Sequence, residues 1–485
     1  MTVRSMRCSA LFALLFMVAC QSAESGSQAP GVGAGTGGSG GAGGVAGIGS
    51  SGAGGAVAGA GGTSAGGMSG GAAGMMIAPS GGSGGMAGAA GATGGSSGSA
   101  GMEAPPSTGC DGTSLLPLPD DPKLRGPWDV GVRTVTIGRL TVEVMYPAEP
   151  GSTAGMPEAT YDVRDWLPES QRALVPDANS PAVGPIGGHL YRDVPIDPAH
   201  GPYPVVVMIH GTSSFRIASG STNVHWASRG FVVVAADYPG LGLHDQLAST
   251  LECGLPVNGE QDIEGDVRAQ ITALEATSGP LEFLKDRLDM TRLGLAGHSQ
   301  GACMAALLAS LPNVQIVLPF TGSTAVSPST TLKSIMWIAG MDDTVIGYNT
   351  PLIGNVVCPA NPLPATSNFD AYTQSAGPPE VKKRLVGITG GGHLVPSDLC
   401  QKNAQGRNAI EEANMDMVCG INSAVIIGLP ALFDCGMISL ESGIEAVNYA
   451  STIALEETLH CMDRDAQFEG LRTALPQVGD YQRED

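Results

Sequence analysis

The sequence has few positive charges. Lys and Arg together number 24 against 45 Asp and Glu, which gives a formal net charge of −21 at pH 7. Binding to nucleic acid requires a basic face that neutralises phosphates, so this balance argues against a nucleic-acid partner. The acidic surface is instead consistent with a protein that stays soluble through its own charge.

One long segment has no aromatic, Lys or Arg residue at all. Residues 21–109 consist mainly of Gly, Ala and Ser and contain nearly half of the 72 glycines. Such a segment cannot bury enough apolar area to offset the entropy of ordering it. We therefore predict a disordered linker over 21–109 and a single large folded domain over 110–485.

No apolar run near the N-terminus is long enough to cross a bilayer as a helix. Arg4 and Arg7 precede a short apolar run from Leu11 to Ala19, which predicts an export signal over residues 1–20. The end of this run, Met17-Val18-Ala19-Cys20, resembles a bacterial lipobox. We expect Cys20 to carry a lipid that anchors the exported chain to the bacterial cell envelope. Secretion after ordinary signal cleavage stays open, because Met17 replaces the usual Leu.

The sequence also lacks a C-x-x-C pair and any His/Cys cluster with the spacing of a zinc site, so no metal is predicted, and no cofactor is expected. Eight cysteines lie in the folded part: Cys110, Cys253, Cys303, Cys358, Cys400, Cys419, Cys435 and Cys461. An even number in an exported protein favours disulfides, whose pairing does not follow from sequence. We expect Cys303 to be a small buried residue rather than half of a bridge.

The apolar pattern of the folded part changes along the chain. Alternating residues on either side of Gly138-Arg139 predict an antiparallel hairpin that ends at Pro147. Nearly continuous apolar runs then occur at 205–209, 231–236, 293–296, 314–318, 335–339 and 385–388. Such runs are typical of strands covered by helices on both faces. The pattern predicts an α/β fold with a mostly parallel, doubly wound sheet and an antiparallel N-terminal hairpin.

The run that begins at Leu293 leads into Gly297-His298-Ser299-Gln300-Gly301, and helix-forming residues follow. This is the G-x-S-x-G nucleophile elbow in its required setting of strand, sharp turn and helix. The same letters occur at 37–41 and 81–85, but no strand precedes them and no helix follows. We therefore predict Ser299 as a nucleophile.

An acyl-transfer site needs backbone N–H groups that hold the developing oxyanion. Gln300 directly follows the nucleophile and is predicted to supply one of them. His210-Gly211-Thr212 follows an earlier strand, at the position of the second donor. We predict Thr212 for this role, with Gly211 as the alternative, and a structural role for His210.

The general base must be a histidine, and the chain order Ser, acid, His leaves His393 and His460 after the elbow. We predict His393, which follows the run 385–388, because His460 lies in a helical pattern. The acid is expected after the run 335–339, where Asp342 and Asp343 are adjacent. The earlier Asp237 is interpreted as structural.

Several of these segments resemble one family of enzymes. Val144-Met145-Tyr146-Pro147, His210-Gly211-Thr212 and Ala227–Val233 are similar to bacterial predicted dienelactone hydrolases, platelet-activating-factor acetylhydrolases and cutinase-like polyester hydrolases. The resemblance covers about 130 to 400. It implies the α/β-hydrolase fold and hydrolysis of carboxylic esters, and its D-x-V pattern favours Asp343 over Asp342. True dienelactone hydrolases use a cysteine nucleophile, so their substrate does not transfer to a chain with Ser299.

The leading hypothesis is an esterase or lipase-like serine hydrolase, expected to be a monomer, that acts on a small-molecule or polymeric ester. A polyester hydrolase, and a serine peptidase or acyltransferase, are alternatives on the same scaffold. A non-catalytic, lipid-tethered binding protein is the alternative outside enzymes. Such proteins commonly lack a member of the triad, whereas Ser299, Asp343 and His393 are all present in this chain.

Overall fold

A computed structural model describes residues 109–175, 182–185, 187–249, 254–326, 329–350, 367–375, 380–400 and 434–484. The predicted signal segment, Cys20 and the linker up to residue 108 lie outside these residues, so the predictions about them stay predictions. Among the helices that the structure describes, none combines the length and apolar character needed to span a membrane.

Twelve strands follow one another along the described residues. They are β1 (Val130–Ile137), β2 (Leu140–Pro147), β3 (Tyr161–Asp162), β4 (Ala182–Val183), β5 (Leu190–Arg192), β6 (Tyr203–Ile209), β7 (Val232–Asp237), β8 (Leu288–His298), β9 (Val314–Phe320), β10 (Ser334–Gly340), β11 (Lys382–Ile388) and β12 (Val478–Glu484).

Helices lie between the strands and near the C-terminus. They are α1 (Glu169–Arg172), α2 (Gly220–Ser228), α3 (Leu243–Ala248), α4 (Ile263–Ala276), α5 (Gln300–Leu307), α6 (Asn368–Gln374), α7 (Leu440–Leu459), α8 (Asp465–Glu469) and α9 (Leu471–Ala474). Short 3₁₀ turns lie at Cys110–Gly112, Val163–Trp166, Gly279–Leu284, Leu308–Ser310 and Asp398–Cys400.

Ten strands form one sheet in the order β12-β11-β10-β9-β8-β6-β7-β2-β1-β5, and β3 pairs with β4 separately. The strands from β11 through β7 in this order run parallel to one another. Antiparallel pairs lie towards the sheet edges, where β12 joins β11, β2 joins β7 and β1 joins β2. The protein therefore has a mixed, mostly parallel α/β sheet, as the continuous apolar runs predicted.

The sheet separates two hydrophobic cores. Along β6, Val206 and Met208 face one core, which contains α2 and α7, while Val205 and Val207 face the other, which contains α4 and α5. Every residue of β6 is buried, because successive side chains of a strand point to opposite faces and both faces are covered. This double burial explains the unbroken apolar run.

Within the residues that the structure describes, two disulfides with both cysteines placed join distant parts of the chain. Cys110 is bonded to Cys461, and Cys400 is bonded to Cys435. Cys303 is also disulfide-bonded, so the expectation that it would not form a bridge was wrong. Its side chain is buried as expected, but a buried cysteine can be either a free thiol or half of a disulfide.

Helix α7 is attached to the core by buried polar contacts. Glu456 Oε1 lies 2.6 Å from Arg229 Nε, and both side chains are fully buried. His460 follows α7, with Nε2 3.2 Å from the backbone oxygen of Arg229 and its ring stacked 4.2 Å from that of Phe231. Burial lowers the pKa of His460 to about 3. This histidine is a neutral packing residue that contacts the chain just before β7.

Candidate active site

Ser299 lies in the turn between β8, which ends at His298, and α5, which begins at Gln300. Its φ of 56° is in the left-handed region that non-glycine residues rarely adopt. The turn also requires glycine, because a Cβ on Gly297 would lie 2.2 Å from the Gly301 backbone oxygen. The sequence GHSQG therefore permits a strained turn that positions the serine side chain at the carboxyl end of the central strand.

His393 is carried by the loop after β11, and its imidazole lies beside the serine. The Nε2 atom is 2.9 Å from Ser299 Oγ, which is hydrogen-bonding distance. Both side chains are almost completely buried. β8 and β11 are separated in the sheet by β9 and β10, so the topology brings together residues that are far apart in sequence.

Asp343 lies in the loop after β10, on the other side of the same imidazole. Its Oδ2 is 2.9 Å from His393 Nδ1. Its Oδ1 accepts hydrogen bonds from the backbone N–H groups of Val345 at 2.7 Å and Ile346 at 2.8 Å. The carboxylate is thus held at both oxygens. The side chain of Asp342, the alternative, is exposed.

Two further histidines support the site as neutral, buried groups. His298 Nε2 lies 2.9 Å from the backbone oxygen of His393, and burial lowers the pKa of His298 to about 3. His210 Nε2 accepts from the Tyr238 backbone N–H while Nδ1 faces the Gly211 oxygen at 2.7 Å, and burial lowers its pKa too. The contact of His298 with the base was not predicted from the sequence.

The two predicted oxyanion donors lie in segments next to Ser299. Gln300 is the first residue of α5, where the backbone N–H has no acceptor within the helix. The loop of Gly211 packs directly on the serine, since a Cβ on Gly211 would be 3.0 Å from Ser299 Cβ. The Thr212 hydroxyl donates to Gln300 Oε1 at 2.7 Å, which joins the two positions.

Asp237, which the sequence indicated as structural, lies at the end of β7 beside this loop. Its Oδ1 accepts the backbone N–H of Arg216 at 2.8 Å. The Trp166 indole N–H lies 3.1 Å from the same oxygen. The Arg216 contact attaches the loop after β6 to the neighbouring strand, and the Trp166 contact attaches the turn Val163–Trp166. Asp237 therefore supports the site from outside it.

Another buried carboxyl group lies five residues after the imidazole. Asp398 Oδ2 accepts the backbone N–H of Ser221 at 2.7 Å, at the start of α2. Burial raises the pKa of Asp398 to about 7, although hydrogen bonds from Ser221 and Gly220 act in the opposite direction. Nothing in the sequence singled out this residue, because an Asp in a loop is ordinarily solvated.

The geometry as a whole is suited to nucleophilic catalysis. Imidazole Nε2 can accept the serine proton while Nδ1–H remains hydrogen-bonded to Asp343, which fixes the tautomer and stabilises the cation that forms. In the part of the chain that the structure describes, His, Cys, Asp and Glu side chains form no cluster suited to a metal ion.

Comparison with known proteins adds no family to these observations. No protein-family model matches the chain, and no curated protein matches it. The function must therefore be inferred from the geometry of the site.

Proposed function

We propose that this protein is a serine hydrolase of the α/β-hydrolase fold that cleaves carboxylic esters through an acyl-serine intermediate. The observation that carries the proposal is a single imidazole 2.9 Å from Ser299 Oγ on one side and 2.9 Å from Asp343 Oδ2 on the other. A mostly parallel sheet that begins with antiparallel strands, with the serine in a strand–turn–helix elbow, is consistent with that fold.

In the proposed reaction, Ser299 Oγ attacks the ester carbonyl carbon while His393 Nε2 takes the hydroxyl proton. The tetrahedral oxyanion is held by the N–H groups of Thr212 and Gln300. The C–O bond to the alcohol breaks as His393 returns the proton to the leaving oxygen. A water molecule, deprotonated by the same imidazole, then attacks the acyl carbon. The bond from this carbon to Ser299 Oγ breaks as His393 returns the proton to Oγ, which releases the carboxylic acid and restores the serine.

The test is hydrolysis of p-nitrophenyl esters of graded acyl length by the wild type and by Ser299→Ala. We expect the variant to lose nearly all activity and to retain its unfolding temperature. Ser334→Ala is a matched control, because Ser334 is also buried but begins β10. It therefore lies at the amino ends of the parallel strands, whereas Ser299 lies at their carboxyl ends. A fluorophosphonate probe is expected to label the wild type and Ser334→Ala only.

Equal activity of Ser299→Ala and wild type would overturn the proposed nucleophile. Absence of both ester hydrolysis and probe labelling in the folded wild type would overturn the enzymatic proposal itself and favour a binding protein. Faster cleavage of amides than of matched esters would contradict ester hydrolysis as the reaction.

We also propose that the chain is exported and anchored to the cell envelope through a lipid on Cys20. The disulfide between Cys110 and Cys461 supports export, since such bonds persist in oxidising compartments. Expression of the full chain with Cys20→Ala in a bacterial host is expected to move the protein from the membrane fraction to a soluble one. An unchanged distribution would contradict lipid attachment at this residue.

A further inference from the structure

We propose that Asp434 is a positioning residue that holds two loops of the site at a fixed separation. These are the loop after β10 that carries Asp343, the acid loop, and the loop after β11 that carries His393, the histidine loop. The inference rests on the proposed function, because it concerns how the triad is maintained. Asp434 lies more than thirty residues beyond His393 in the chain. It hydrogen-bonds the residue directly after Asp343 and the residue directly after His393.

The contact with the acid loop is made by the Asp434 side chain. Its Oδ2 accepts the backbone N–H of Thr344 at 3.0 Å and the Thr344 hydroxyl at 2.9 Å. Thr344 directly follows Asp343 and precedes Val345, whose N–H holds the other side of the triad carboxylate. Asp434 therefore holds Thr344, the residue between the Asp343 carboxylate and the Val345 N–H that binds it.

The contact with the histidine loop is made by the Asp434 backbone. Its carbonyl oxygen accepts the N–H of Leu394, the residue directly after His393, at 2.8 Å. The following residues continue the attachment, since the N–H groups of Met437 and Ile438 both donate to the Gly390 oxygen, at 2.7 and 2.9 Å. The histidine loop is thus bound on both sides of the imidazole.

Close packing makes this attachment rigid. A Cβ on Gly392 would lie 2.4 Å from Asp434 Oδ1, and a Cβ on Gly436 would lie 2.2 Å from the Gly390 oxygen. Gly436 also has a positive φ of 68°, so both positions require glycine. The neighbouring Cys435 is bonded to Cys400, which lies on the same stretch of chain as His393. A covalent bond therefore keeps Asp434 beside the loop that it binds.

The functional consequence follows from the separation of the two loops. Asp343 follows β10 and His393 follows β11, so their hydrogen bond spans two loops, which are joined directly by the bond from the Asp342 N–H to the Gly391 oxygen at 3.0 Å. A displacement of about 1 Å in a catalytic group can lower a rate by roughly 10²-fold. Asp434 restricts this displacement because it bonds both loops, one through its side chain and one through its backbone.

The test compares Asp434→Ala, Asp434→Asn and Thr344→Val in the full-length protein by p-nitrophenyl ester hydrolysis. Asp434→Ala removes every side-chain bond to the acid loop, and we expect kcat to fall about 10- to 100-fold with little change in KM. Asparagine retains an acceptor oxygen and is expected to recover most of the loss. Thr344→Val removes one of the bonds to Oδ2, and we expect a loss of about fivefold. Glu441→Gln is the control for loss of a negative charge, exposed and in the same segment, and should have wild-type kcat.

A double-mutant cycle separates positioning from general destabilisation. If Asp434 acts through the Asp343–His393 pair, Asp434→Ala should cost much less in an Asp343→Asn background, within about threefold of that parent. An equal fold-loss in both backgrounds, or wild-type kcat in Asp434→Ala, would overturn the proposal. If Asp434→Ala does not fold, wild-type kcat in both Asp434→Asn and Thr344→Val would also overturn it.

These results stay distinct from the fate of the proposed function. An active wild type whose activity is lost in Ser299→Ala but kept in Asp434→Ala would refute only the role of Asp434. A folded wild type that neither hydrolyses esters nor reacts with the fluorophosphonate probe would refute the proposed function as well.

Discussion

Replacing the carboxylate of Asp343, the proposed triad acid, by its amide tests the geometry of the site most directly. In Asp343→Asn, the amide oxygen must remain where Oδ1 is now, because two backbone N–H groups, from Val345 and Ile346, donate to that atom. The amide NH₂ group must then face His393 Nδ1, which at present lies 2.9 Å from Oδ2. Flipping the amide would place two donors against the two N–H groups.

This constraint inverts the tautomer of the base. With a donor facing Nδ1, the imidazole proton moves to Nε2, the atom 2.9 Å from Ser299 Oγ. An Nε2–H group cannot accept the serine proton, so the nucleophile is not activated. Loss of the correct tautomer lowers kcat by about 10⁴-fold in an enzyme with this arrangement, which corresponds to about 5 kcal/mol of transition-state stabilisation.

The assay is kcat/KM for a short p-nitrophenyl ester, with thermal unfolding followed by circular dichroism to verify the fold. Asp342→Asn is the matched control, because its side chain is exposed and adjacent in sequence. We expect this control to retain activity within about twofold of wild type, as is usual for an exposed side chain outside the reacting groups. A loss of less than about tenfold in Asp343→Asn, far below the loss expected for the wrong tautomer, or an equal loss in Asp342→Asn, would refute the assignment of the acid.

Three further predictions concern stability. Removing the Cys110–Cys461 bond by serine substitution at both positions is expected to lower the free energy of unfolding by about 2–5 kcal/mol, measured by urea denaturation, because the bond joins residues 351 positions apart. Burial raises the pKa of Asp398 to about 7, above the value of 3.8 for an unperturbed Asp. The folded state therefore holds this proton more tightly, and stability should fall as pH rises from about 4 to about 7; Asp398→Asn should flatten that part of the profile. Glu456→Gln leaves the buried Arg229 without its charge partner and should cost about 3–5 kcal/mol.

Each of these three predictions has an outcome that would contradict it. Equal urea midpoints for oxidised wild type and the serine double variant would exclude a stabilising role for the bond. The free energy of unfolding of the wild type minus that of Asp398→Asn should fall between about pH 4 and about pH 7. A rise of this difference would contradict the raised pKa of Asp398. An unchanged midpoint in Glu456→Gln would show that Arg229 does not depend on this carboxylate.

The features that could be predicted from the sequence are local ones. The parallel strands produce unbroken apolar runs because both of their faces are covered, and the runs at 205–209 and 335–339 lie within β6 and β10. The turn at Ser299 could also be located, since a strand, a G-x-S-x-G turn and a helix follow one another without interruption. The candidates Asp343 and His393 were chosen because they follow β10 and β11, and the carboxyl ends of parallel strands lie on the same side of a sheet.

The features that could not be predicted depend on distant contacts. β12 pairs with β11 only after almost a hundred intervening residues, and its polar sequence has no strand pattern. The choice of Cys461 as partner of Cys110 has no local signal. Asp434 is an acidic residue outside any helix or strand, and its role becomes visible only when Thr344 and Leu394 are seen beside it.

The bond between Cys110 and Cys461 has a mechanical consequence. Cys110 lies at the N-terminal end of the folded domain, and Cys461 directly follows the long helix α7 and His460. A pull on the N-terminal segment reaches Cys110 before it reaches β1 at Val130, and the covalent link passes the load to Cys461, beside the end of α7. If the chain is tethered through Cys20 as proposed, drag on the domain would load this sulfur–sulfur bond before it loads the hydrogen bonds of β1.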